Sequence, residues 1–175
     1  MVRSLITKSD YSVMRRANNW EAPRWVRVYV TSATRVGDGW LWYAMGLAIV
    51  MLGGKTRFEA VGAAGVSAAL SVLLFVWLKR LTGRRRPCQI EPHCWATLLP
   101  PDRFSFPSGH TMTAFAVAIP LSLFYPTLTI GLAFCALSIA VSRILLGMHF
   151  LSDVVAGALI GTGLGYLGYF AFQLS

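Results

Sequence analysis

Between His110 and Ser175 the chain carries only two formally charged side chains, Arg143 and Asp153, in 66 residues. Two charges cannot keep such a length in water, since soluble domains carry roughly 25% charged residues. Over the full 175 residues the charged share is 13% and the apolar share 55%. A soluble enzyme, a disordered chain and a collagen-like repeat are all excluded on these grounds. The length suits one domain, and the composition makes it all-α, a polytopic bundle of membrane helices.

Five apolar stretches read as spans: Gly39–Gly53, Phe58–Leu78, Thr111–Tyr125, Thr127–Leu146 and Val154–Leu174. A crossing needs about 20 residues, so the first and third are short and borrow flanking residues. The last span carries Gly157, Gly161 and Gly165 at a spacing of four, with Gly163 and Gly168 beside them. The second carries Ala60, Ala64, Ser67 and Ser71. Small residues at such spacing let helices approach closely, so they are assigned to packing and not to chemistry.

Residues 22–36 are different. At 100° per residue Ala22, Trp25, Val26, Tyr29, Ala33 and Val36 fall on one face, and Arg24, Arg27, Thr31 and Arg35 on the other. Pro23 suits the first helical turn. A basic amphipathic helix with tryptophan on its apolar side belongs in the membrane interface, and a partner-binding helix is the alternative. Residues 1–38 are thus set apart from a membrane core over 39–175. The N-terminus MVRSLITKSD lacks the apolar core of a cleavable signal peptide.

The net charge of +9 does not point to nucleic acid. The basic residues sit in the first 35 residues and in Lys79–Arg86, and neither region has the framework of a nucleic-acid module. Basic residues beside apolar spans face phospholipid headgroups. Of the three cysteines, Cys88 and Cys94 are the only plausible pair, though two loop cysteines can equally stay reduced. Cys88, His93 and Cys94 lack the paired spacing of a zinc site, so no metal is expected.

Following the spans in order, the N-terminus, the polar segment Lys79–Gly109 and the turn Arg143–Asp153 all reach the same membrane face. The second brings Lys79, Arg80, Arg84, Arg85 and Arg86, then Phe106-Pro107-Ser108-Gly109-His110. The third brings Ser142-Arg143, His149 and Asp153. Cations around a helix N-terminus opened by Ser108 and Gly109 make an oxyanion site, most naturally for phosphate. His149 and Asp153 are four apart, so a carboxylate is placed to hold one imidazole nitrogen and leave the other nucleophilic. His110 is then available to protonate a leaving oxygen. Each element has a plainer explanation: a topology anchor for the basic run, a helix cap for Asp153, a boundary residue for either histidine. Their coincidence on one face favours chemistry.

These segments resemble the three signatures of the type 2 phosphatidic acid phosphatase superfamily, which also includes vanadium haloperoxidases and glucose-6-phosphatase. The matches are Lys79 with Arg86-Pro87, then Pro107-Ser108-Gly109-His110, then Ser142-Arg143 with His149 and Asp153. By that resemblance Lys79, Arg86 and Arg143 bind the phosphate, helped by Ser108 and Gly109. His149 attacks phosphorus to give a phosphohistidine, Asp153 orients it, and His110 serves as acid, with no metal and no cofactor.

The function so implied is hydrolysis of a lipid phosphate monoester or diphosphate, with the bilayer as the other partner. The alternatives are a lipid phosphotransferase and a non-catalytic phospholipid- or anion-binding membrane protein. Intact His110, His149 and Asp153 argue against the last. Lys and Arg number 14 on the face that bears the site and two, Lys55 and Arg57, on the other. The positive-inside rule then puts the site on the cytoplasmic face, of a bacterial inner membrane. A Cys88–Cys94 disulfide and the outward-facing sites of many relatives would favour the opposite face.

Overall fold

Away from water a backbone must satisfy its own N–H and C=O groups, so each apolar stretch winds into a helix. The computed structural model describes residues 7–91 and 102–174. Among these the order is α1 (Lys8–Asn18), α2 (Arg24–Val36), α3 (Trp40–Leu52), α4 (Arg57–Thr82), α5 (Gly109–Phe124), α6 (Thr129–Leu145) and α7 (Leu151–Gln173). The five expected spans are α3 to α7. Three stretches, Arg57–Gln89, Pro126–Leu145 and Leu151–Gln173, are long and apolar enough to cross a membrane, while α3 and α5 are shorter. The all-helical membrane fold is therefore as expected.

Three boundaries differ from the expectation. α4 runs a turn further, to Thr82, so Lys79 stands on a helix and not in a loop. α1 was not foreseen, although its start is written in the chain. Thr7 Oγ1 accepts the Asp10 N–H at 3.1 Å, and Asp10 Oδ2 accepts the Thr7 N–H at 3.2 Å, a reciprocal cap. In α2 the buried stripe is Val26, Val30 and Thr34, and Pro23 is the cap and not the first turn. That stripe packs on α6, with Val26 and Val30 meeting Leu146 and Met148. Trp25, Val28 and Val36 stay exposed, so the helix has one face for the protein and another left apolar outside it.

α5 is the central element, packed against α4, α6 and α7. Its Ala114, Val117, Ala118 and Leu121 join Ala60 and Ala64 of α4 and Leu132, Ala136 and Ile139 of α6 in one buried cluster. Outward, Leu73, Trp77, Ile130, Phe134, Leu159 and Leu167 are all exposed, an apolar belt that only lipid would cover. Tyr125 donates to the Gly53 carbonyl at 2.8 Å, tying the α3–α4 and α5–α6 turns together at one end. The C-termini of α4 and α6 and the N-termini of α5 and α7 therefore meet at the other.

The glycines of α7 pack as read from their spacing. A Cβ on Gly157 would stand 2.7 Å from the Ser108 carbonyl oxygen, and one on Gly161 would fall on the Met112 carbonyl and lie 3.1 Å from its Cα. Gly163 faces open space. Gly161→Ala should accordingly cost about 1–3 kcal/mol by overpacking backbone that cannot yield, while Gly163→Ala should be neutral or mildly stabilising. Melting temperatures in detergent check this, and equal shifts for the two variants would contradict the close α5–α7 approach.

Candidate active site

His149 owes its position to the turn after α6. The Arg143 carbonyl accepts the N–H groups of both Met148 and His149 at 3.1 Å. The chain turns back through Gly147 at φ +64°, a left-handed conformation open to glycine without a Cβ penalty. His149 thereby lies buried at 2% exposure. Its Nδ1 is 2.6 Å from the Ser105 carbonyl oxygen. A carbonyl only accepts, so Nδ1 carries the hydrogen and Nε2 the lone pair. Arg86 Nη1 donates to that Nε2 at 3.1 Å. Burial first, then the charges of Arg86, Arg143 and Lys79, holds the His149 imidazole well below its ordinary pKa of 6.5, against a smaller opposing effect of the Ser105 carbonyl. The ring is thus a neutral base whose lone-pair nitrogen, Nε2, faces the cations and accepts from Arg86.

Asp153 does not hold the imidazole as the i,i+4 spacing suggested. Its Oδ2 is 3.6 Å from Nδ1, beyond a hydrogen bond, because the Ser105 carbonyl has taken that position. The carboxylate instead accepts from the Ser105 hydroxyl, from the Phe150 N–H at 2.8 Å and from Arg84 Nη1 at 2.6 Å. It orients His149 at one remove, by fixing Ser105. Its bond to the Phe150 N–H also caps α7, as the plainer explanation has it. Arg84 Nη2 reaches Asp10 Oδ2 of α1 at 2.7 Å, and Asp10 Oδ1 accepts the Ser152 N–H at 2.9 Å. Burial would raise the Asp10 carboxyl, but hydrogen bonds from Ser152, Thr7 and Arg84 outweigh it and keep it below its ordinary pKa. Arg84 is therefore a structural clasp between α1 and α7, and not a free cation.

The three cations assigned to phosphate converge but differ in how far they are committed. Asp102 accepts from Lys79 Nζ at 2.6 Å and from Arg86 Nη2 at 2.8 Å. Burial alone would raise the Asp102 carboxyl, yet Lys79 and Arg86 hold it down to about 2. Arg86 is fully buried and also donates to the Asp102 and Met148 carbonyls. Arg143 is buried at 1% exposure, and its side chain's one hydrogen bond among the described residues is from Nη1 to Thr34 Oγ1 at 3.4 Å. Its Nε and Nη2 have none. A buried guanidinium with open N–H groups has the donors to take an oxyanion bidentately.

At the start of α5, Ser108 is the cap residue, and its N–H donates to the Asp153 carbonyl at 3.1 Å. Its hydroxyl pairs with Thr111 Oγ1 at 2.9 Å. Gly109 has a second use that the sequence did not reveal. A Cβ there would stand 3.2 Å from the Phe75 ring, over which Lys79 Nζ sits at 5.2 Å. His110 Nε2 lies 2.7 Å from Asp38 Oδ1, in the link between α2 and α3. His110 and Asp38 lie at the α5 N-terminal side of a largely apolar groove of about 640 Å³ between α3, α4 and α5, lined by Trp42, Gly65, Ala69, Val72 and Thr113 among others.

Ser105, Asp102, Asp38 and Asp10 were missed because no periodicity marks them. Only the Thr7–Asp10 cap was legible. Of the possible Cys88–Cys94 pair and the Cys88, His93, Cys94 triplet, His93 and Cys94 lie outside the described residues.

The titration of His149 can be read directly. An imidazole held low stays neutral through pH 6.5 and gains its proton only below it. Nitrogen NMR of the detergent-solubilised protein, assigned with a His149→Gln variant, should give a midpoint well under 6.5 with Nδ1–H as the neutral tautomer. A midpoint at or above 6.5 would contradict this environment.

The family model described as "PAP2 superfamily" matches residues 60–174. The lipid A 1-phosphatase of Rhizobium johnstonii is 31% identical over 110 residues, covering 61% of this chain and 45% of that protein. The decaprenylphosphoryl-5-phosphoribose phosphatase of Mycobacterium tuberculosis is 32% identical over 131 residues, 73% of this chain and 68% of that one. The crystal structure of LpxE from Aquifex aeolicus superposes with a TM-score of 0.79 at 28% identity, covering 96% of this chain and 98% of that one. The chain spans less than half the length of the rhizobial lipid A 1-phosphatases it matches.

Proposed function

The chain belongs to the PAP2 superfamily, and from that premise we propose that it is a metal-independent membrane phosphatase acting on a lipid phosphate monoester or diphosphate through a phosphohistidine. One observation carries the proposal. His149 Nε2 keeps its lone pair because Nδ1–H is given to Ser105, and it faces the cations that would hold the phosphoryl group.

Arg143, with its open N–H groups, is the anchor for the phosphate, and Lys79 and Arg86 add charge at the cost of loosening Asp102. Nε2 attacks phosphorus as the bond to the leaving oxygen breaks, and His110 gives that oxygen its proton. Water then attacks the phosphohistidine, His110 takes a proton back, and inorganic phosphate leaves. Free N–H groups at the start of α5 favour the developing negative charge. The groove that begins at His110 supports a hydrocarbon leaving group, since the substrate's tail would lie in apolar surroundings while its headgroup meets the cations. The named activities of the relatives, on lipid A and on a decaprenyl-linked phosphosugar, agree with that class.

Purified protein in detergent with EDTA should release phosphate from a panel holding phosphatidic acid, phosphatidylglycerophosphate, undecaprenyl diphosphate, a polyprenylphosphoryl phosphosugar and lipid A 1-phosphate. Vanadate should inhibit, because its trigonal-bipyramidal form at the imidazole resembles the transition state. Strict dependence on added magnesium or zinc would refute the mechanism, and inertness toward the whole panel would refute the function.

The charge asymmetry supports placing the site on the cytoplasmic face of a bacterial inner membrane. A membrane-impermeant thiol reagent should then leave Cys88 unlabelled in intact cells, before and after reduction. Labelling there would move the site to the outer face.

A further inference from the structure

We infer that Asp38 is the positioning partner of His110, holding Nε2 so that the proton for the leaving oxygen is delivered from Nδ1. This rests on the proposed role of His110 as the acid. Asp38 lies outside the region that the family model matches, in the segment assigned from sequence to an interfacial anchor. No signature motif includes it.

The observation is the 2.7 Å contact between His110 Nε2 and Asp38 Oδ1 across 72 residues of chain. The turn that presents Asp38 is built for its place. A Cβ on Gly37 would stand 3.1 Å from the Ile139 side chain, so the turn is pressed onto α6. Gly39 has φ +122°, in the region that favours glycine. The carboxylate between them is therefore set by Gly-Asp-Gly at the end of α2, and α2 is itself docked on α6 beside Arg143.

A carboxylate accepts only, so Nε2 carries a hydrogen toward Asp38. The proton that can leave is then the one on Nδ1 of the imidazolium. As the bond from phosphorus to the leaving oxygen breaks, that proton passes to the oxygen, and Asp38 keeps its charge and the Nε2–H bond. When water later attacks phosphorus, its proton returns to Nδ1. Asp38 does not touch the reacting atoms. It fixes the ring and stabilises the imidazolium.

Asp38 is about half exposed and the pair spans a surface edge, so little folding stability rides on it. A purely structural role and a positioning role therefore separate cleanly. The probe is kcat/KM, which covers steps through departure of the leaving group, measured on dodecyl phosphate and on p-nitrophenyl phosphate. The alkoxide needs a proton and the nitrophenolate does not. His110→Asn tests the acid role itself and should lower the dodecyl rate by about 10²–10⁴-fold with far less effect on the aryl ester. Asp38→Asn should lower the dodecyl rate by roughly 10–100-fold, leave the aryl rate and melting temperature little changed, and be largely rescued by Asp38→Glu. In a His110→Asn background Asp38→Asn should cost nothing more, because it acts through that ring.

Equal losses on both esters, an additive loss in the double variant, or a faster dodecyl rate would overturn the inference about Asp38 while leaving the acid role of His110 standing. If His110→Asn fails to discriminate between the esters, the acid role falls and the role of Asp38 with it.

Discussion

His149→Ala should abolish phosphate release, with a loss in kcat on the scale of 10⁴–10⁶, about that of removing a nucleophile in a serine protease. The size follows from what the variant leaves behind. Arg86 and Arg143 still bind phosphate, but among the described residues the one other imidazole, His110, is tied to Asp38. Quenching during turnover in alkaline detergent, which spares the acid-labile P–N bond, should trap a phosphoryl-enzyme in the parent protein and none in the variant. Asp153→Asn is a different experiment from the one the i,i+4 spacing suggested. Its side chain meets the Ser105 hydroxyl, the Phe150 N–H and Arg84, all donors. An amide turns one donor against another donor and weakens the Arg84 clasp. The expected result is a smaller loss of rate than in His149→Ala, joined to a lower melting temperature. Near-normal turnover in His149→Ala, or a phosphoryl-enzyme in that variant, would end the mechanism.

The legible part of this protein is the part that physics forces on any sequence in lipid. Two charges in 66 residues require helices, and alternating spans require that Lys79, Ser108, Arg143 and Asp153 reach one face. The signature spacings then name candidate residues, and the fold brings two of them, Arg86 and His149, together. What was illegible is how the site is held. The Nδ1 partner of His149 is a backbone carbonyl, and a carbonyl has no residue type to read. Asp102 and Asp38 sit in turns, where no period distinguishes a carboxylate that grips a catalytic side chain from one that faces water. Arg84 shows the opposite error. In the chain it is one cation of a run, yet its partners Asp10 and Asp153 are 74 and 69 residues away and make it a clasp. α1 was missed although Thr7 and Asp10 announce it, because an apolar scan passes over a short polar helix. The docking stripe of α2 was not foreseen for a related reason. Val26, Val30 and Thr34 make a narrow i, i+4 row for one neighbour, while the wider apolar arc around Trp25 dominates the helical projection.

Arg143→Met should make the protein more stable and nearly inactive at once. A buried guanidinium with two unpartnered nitrogens is costly in the free protein. Replacing such a charge with an apolar side chain of similar reach is worth about 1–4 kcal/mol where it has been tried in buried ion pairs. Only a function that uses the open fork would keep it there, a common trade at working sites. Lys79 and Arg86 can compensate only in part, because both must first loosen their bonds to Asp102. Loss of the anchor should therefore cost kcat/KM about 10²–10³-fold or more, the scale of removing one oxyanion donor. Arg143→Lys keeps the charge but offers no fork, so it should also impair turnover markedly. A third readout separates the anion site from a topology anchor. Vanadate or phosphate should raise the melting temperature of the parent protein, as any ligand of the folded state does, and should have little effect on Arg143→Met. If Arg143→Met melts lower than the parent and still gains stability from vanadate, Arg143 supports the fold through Thr34 and the phosphate is held elsewhere.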